Sequence, residues 1–100
     1  MKYYVFETTM VPQAYKLPGF REALAGHMSF VKQQYADGLI LFSGTKPDNS
    51  GGVRVIRLED DADVMQYWQP DPMAAAEMLT YRVTAFTPLD VKDTVKEWFV

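Results

Sequence analysis

Residues 39–58 read LILFSGTKPDNSGGVRVIRL, and this stretch decides the fold. Leu39 to Gly44 is a short apolar run and Gly52 to Leu58 a β-branched one, while Thr45 to Gly51 between them consists of residues that favour turns. Two strands joined through such a loop make an antiparallel hairpin. Helical patterns flank it on both sides. Upstream, Phe20, Leu24, His27, Met28, Val31 and Tyr35 recur at three- and four-residue steps. That stripe predicts a helix over about 18–37, opened by Pro18 and stopped by Gly38 after Asp37. Downstream, Asp60 is placed to cap a second helix, with Asp61 and Asp63 in its first turn and Val64, Tyr67 and Trp68 on its apolar side. Pro70 and Pro72 end it.

Further out, Lys2 to Met10 (KYYVFETTM) is rich in aromatic and β-branched residues and reads as a strand with both faces partly apolar. Val11 to Leu17 is a connecting loop, and Met73 to Met78 a short extra turn before the last strand, Leu79 to Phe86. The order βαββαβ defines an α+β, ferredoxin-like fold: a four-stranded antiparallel sheet with two helices on one face. Two helices cannot also cover the alternate strand residues that point the other way, so a second sheet is expected there. In the tail, Val91, Val95, Trp98 and Phe99 share one helical face, which predicts an extra C-terminal helix from about Asp90. The 100 residues make a single domain, with a core over 1–87 and a tail over 88–100.

The totals narrow the function classes. A net charge of −3 opposes nucleic-acid binding, which calls for a basic face. The chain has no cysteine, which removes disulfides, thiolate metal sites and a thiol nucleophile; a cytoplasmic location is expected. No stretch approaches the roughly 20 apolar residues of a membrane-spanning helix. With 48% hydrophobic residues the chain can build a core, yet a domain this small buries only about two-thirds of its unfolded surface, so self-association would help it.

His27 is the sole histidine and lies on the apolar stripe of the first helix. It is either a core histidine with one satisfied hydrogen bond or a general acid/base set by a neighbour. Asp71, held between Pro70 and Pro72, is the best candidate neighbour, and an aspartate before proline and a helical run is equally a normal N-cap. The roles are compatible, because a capping carboxylate keeps lone pairs for an imidazole. Ser43, Arg54 and Tyr4 are candidate substrate contacts: a hydroxyl at a strand end, a strand arginine that could reach an acidic group, and a phenol that could line a pocket. Arg82 and Tyr3 offer the same chemistry as the last two. One histidine without cysteine disfavours a multi-ligand metal site, and no cofactor is expected.

Taken together, His27-Met28-Ser29-Phe30-Val31, Asp37-Gly38-Leu39-Ile40, Ser43-Gly44, Gly51-Gly52-Val53, Asp71-Pro72-Met73 and Tyr81 to Phe86 resemble the YciI-like (YCII-related) family. The resemblance runs from the first strand to Phe86. It departs from the family pattern at Thr45, Met73 and Glu77, where proline, an aromatic and glycine are usual. It implies dimerisation sheet to sheet as a dimeric α/β barrel, with His27 and Asp71 as the active-site pair. Enzymes of related fold include muconolactone isomerase-like proteins, and the family includes a dehydrochlorinase of a chlorinated hydroxyquinol. The expected function is a small cofactor-free lyase or isomerase acting on a hydroxylated aromatic or lactone-like molecule. A non-catalytic ligand-binding or accessory protein on the same homodimeric scaffold is the alternative.

Overall fold

The structure is a computed structural model and describes residues 1–99. Strands β1 (Lys2–Met10), β2 (Ile40–Thr45), β3 (Gly51–Leu58) and β4 (Leu79–Phe86) form one antiparallel sheet in the order β2-β3-β1-β4. Helices α1 (Phe20–Ala36), α2 (Val64–Trp68) and α3 (Pro72–Ala75) complete the α+β, ferredoxin-like architecture.

The period-2 alternation of β1 decides what each face of the sheet carries. Tyr4, Phe6 and Thr8 are buried toward the helices, and Phe6 pairs across the sheet with Arg54 and Val83. Phe6 and Ile56 are sealed at the centre of a core that also takes in Tyr67, Trp68 and Met73. Aromatic contacts bind this core, with the Phe6 ring stacked on Tyr81 and edge-on to Tyr67 at centroid separations of 5.6 and 5.5 Å. The hairpin loop closes through a Lys46 N–H to Gly51 carbonyl bond, an Asp48 carboxylate accepting from Ser50 N–H, and Asn49 at φ 60°.

Helix boundaries differ from the sequence expectation for local reasons. α1 starts at Phe20, because Gly19 at φ 79° is the N-cap and leaves Pro18 in the preceding turn. Its end is as expected: Gly38 at φ 74° sends its N–H to Tyr35 O while Leu39 N–H reaches Gln34 O, a Schellman stop. Met28 and Tyr35 lie at the edge of the α1 stripe and are exposed, whereas Phe30 faces inward against Tyr67. The cap of α2 is Asp63, whose carboxylate accepts from Met65 N–H at 2.8 Å. Asp60 instead pairs with the N-terminal amine at 2.7 Å.

The expected C-terminal α-helix is a 3-10 segment, Asp93–Phe99. It packs on the face of the sheet away from the helices, with Trp98 and Phe99 against the Tyr3 ring at 5.8 and 5.3 Å. Arg57 holds it there by donating to the Trp98 carbonyl and stacking over the indole. The tail thus covers one corner of the face for which a second sheet was expected. Elsewhere on that face Val5 and Phe42 remain 37% and 53% exposed.

Candidate active site

α1 and α3 bring His27 and Asp71 together across 44 residues of sequence, with His27 Nδ1 2.6 Å from Asp71 Oδ2. Gly26 makes the close approach possible. A Cβ there would lie 2.7 Å from Cγ of Pro72, so only a residue without a side chain lets the proline ring seat on α1 beside His27. Asp71 is fully buried, and its second oxygen, Oδ1, accepts from Met73 N–H at 2.9 Å as the N-cap of α3. Both sequence readings of Asp71, cap and imidazole partner, therefore hold at once.

A carboxylate oxygen can only accept, so the neutral ring that suits an ionised Asp71 carries its proton on Nδ1 and its lone pair on Nε2. The bond is short, as expected when a carboxylate accepts in a sealed environment. The His27 side chain keeps 18% of its surface accessible and forms part of the wall of a cleft of about 540 Å³.

The cleft lies between α1 and the β2–β3 end of the sheet. Arg54 and Ser43, which pair across β2 and β3, both line it, with Thr8, Val31 and Met73 alongside. Ser43 Oγ bonds to Tyr35 OH at 2.8 Å, and both line an adjoining exposed groove that runs past Met28 and Lys32. Arg54 is only 4% exposed, with its guanidinium 5.3 Å over the Phe6 ring and its Nη1 without a hydrogen-bond partner. Arg82 is exposed, as strand arginines commonly are.

Of the residues singled out from sequence, His27, Asp71, Ser43 and Arg54 converge. Tyr4 does not. It is a core residue whose accessible edge lines a separate recess with Ala85 and Phe86. Sequence reasoning did not single out Tyr67, Thr8 or Gly26 for the site. Thr8 is 3% exposed and fixes the loop end by accepting from Gly52 N–H. Burial pushes the Tyr67 phenol above its usual value of 10.0, with the Arg54 guanidinium opposing the shift. Among the described residues no three His, Asp or Glu side chains gather into a metal-binding group, and no helix is long and apolar enough to cross a membrane.

A four-stranded ferredoxin-like sheet with a histidine on its first helix and a capping aspartate before its last strand defines a class of small α+β proteins. Within that class, the model of the YCII-related domain matches residues 1–87, and the chain belongs to this family. Among solved structures it is similar to 5-chloro-2-hydroxyhydroquinone dehydrochlorinase from Burkholderia phenoliruptrix AC1100, captured with 2,5-dihydroxybenzoquinone. That likeness has a TM-score of 0.65 at 16% identity and covers 84% of this chain and 92% of the other. No curated protein matches the chain.

Proposed function

We propose that this protein is a homodimeric acid/base enzyme, of lyase or isomerase type, acting on a small hydroxylated aromatic or lactone-like molecule. The observation that carries the proposal is the 2.6 Å contact between a fully buried carboxylate and a histidine that also faces a cleft. A structural histidine needs no cleft, and a mere cap needs no imidazole. Here Asp71 fixes Nδ1–H, orients the ring and stabilises imidazolium once Nε2 has taken a proton from the substrate. In an isomerisation that proton returns to a neighbouring atom of the same molecule. In an elimination the electron pair left behind expels a leaving group as an anion. The cleft volume lies in the range that encloses a one-ring molecule. The similar dehydrochlorinase, which binds a hydroxylated ring, supports the substrate class.

The experiment is ¹⁵N NMR of the single histidine combined with turnover on a panel of hydroxylated and halogenated rings. In the wild type the neutral ring carries its proton on Nδ1. Asp71→Asn reverses this, because the amide oxygen keeps the Met73 N–H while its NH₂ donates to Nδ1, leaving Nε2 protonated. Turnover then falls by about 10²-fold or more, the usual weight of a positioned base. An unchanged tautomer in Asp71→Asn, or turnover that survives His27→Ala, rejects the reading.

A further inference from the structure

Arg54 presents a problem that the His27–Asp71 pair does not solve. Its side chain is nine-tenths buried or more and belongs to the cleft wall. A guanidinium cannot shed its charge, since it stays protonated at any pH the protein meets. Among the described residues no carboxylate comes within ion-pair distance of it. The buried acid of the same corner, Asp71, already has one oxygen on His27 and the other on Met73 N–H. What Arg54 does have is the Phe6 ring face and the Tyr67 phenol close by, which interacts with the guanidinium but carries no charge to balance it. Stacking on a ring offsets only part of the cost of burying a charge.

We propose that Arg54 is the anion anchor of this cleft: the molecule bound there is a small organic monoanion whose carboxylate pairs with the Arg54 guanidinium, its uncharged part lying toward His27. The proposal rests on reading the cleft as a ligand site and deepens that reading by naming the charge class of the ligand. It does not require His27 to be a catalyst. A planar carboxylate matches the two-pronged donor edge of a guanidinium. A phosphate dianion fits less well, because Asp71 sits in the same corner and one arginine cannot balance two further negative charges. The pairing requires the outer torsions of Arg54 to turn Nη1, buried in the ligand-free chain, toward the cleft that the residue helps to line.

The test uses 2,5-dihydroxybenzoate and benzoate as carboxylate probes and methyl 2,5-dihydroxybenzoate as the neutral counterpart. Binding is followed on the ring protons of the sole histidine and by the thermal midpoint. The wild type is expected to bind the acid at least about tenfold more tightly than the ester and to gain thermal stability as the acid is added. Arg54→Met abolishes the preference, and Arg54→Lys keeps part of it. The ligand-free Arg54→Met protein melts no lower than the wild type, since an unpaired buried charge has been replaced by an apolar chain of similar length. Equal binding of acid and ester, absence of saturable binding by both carboxylates, or a preference that survives Arg54→Met overturns the proposal. So does loss of folding in both Arg54→Met and Arg54→Gln, which makes the arginine structural. His27→Ala separates this inference from the catalytic one. The acid preference persists in that variant if Arg54 is the anchor, whether or not any turnover depends on the histidine.

Discussion

Tyr67 shows how one buried hydroxyl ties stability to pH. Burial holds its phenol protonated beyond the 10.0 of a free tyrosine, so above that pH the unfolded chain releases a proton that the folded chain retains. Folding then binds a proton, and the stability associated with Tyr67 is full below pH 10.0 and is lost as pH rises toward the folded-state value. Tyr67→Phe should flatten this alkaline decline. Thermal melts between neutral pH and pH 11 on both proteins check it, and superimposable declines would show that the phenol is not the cause. At this scale the site was partly legible. His27 stood out as the sole imidazole, on an apolar stripe, and Asp71 by its setting, an acid between two prolines. Arg54 was visible as a strand arginine, but its burial was not, since that depends on which face of β3 the helices cover. Tyr4 carries the same phenol as Tyr67, and only the register of β1 sends it into the core away from the cleft.

Among the elements, the α1–α3 contact sets the geometry of the pair. Gly26→Ala gains about 1 kcal/mol of helix propensity but drives a methyl into a rigid proline ring, an overpacking cost of about 1–3 kcal/mol. The expected result is a net loss of stability of up to about 2 kcal/mol together with displacement of α3. The Asp71-bound Nδ1 proton, visible as a downfield NMR signal, should weaken or vanish. An unaltered signal would mean that α3 is positioned by something other than this close approach. The first helix could be read from its periodicity, and the four strands from β-branched and apolar runs set off by turn residues. Short elements could not be bounded that way. Three aspartates precede α2, and only the observed backbone shows that Asp63 holds the extended conformation of an N-cap. The tail has an α-helical apolar spacing but coils as a 3-10 segment over Tyr3. Glu77 stands where the family commonly has glycine, and its backbone nonetheless adopts φ 60°.

Over the whole molecule, the uncovered part of the outer sheet face is the surface that the proposed homodimer would bury. Val5 and Phe42 are exposed on it, in one row that runs across β1, β3 and β2 through Val55. Placing a charge there should be tolerated by one chain and not by two. Phe42→Glu is expected to remain folded and to sediment near 11.4 kDa, with the wild type at twice that mass. A wild type that sediments as a monomer at tens of micromolar would remove the pairing. Sequence indicated that face only through bulk, as more apolar strand positions than two helices can cover. What occupies its corner, the Trp98 and Phe99 cluster gripped by Arg57, depended on chain reversal after β4 that no local pattern encodes. The double duty of Asp71 reaches beyond the site. Asparagine caps a helix about as well as aspartate and its amide still meets the imidazole, so laboratory evolution under heat selection alone would let position 71 drift toward it at little cost. Under the proposed mechanism, with the imidazole deprived of its acid partner, such survivors would be heat-tolerant and inert.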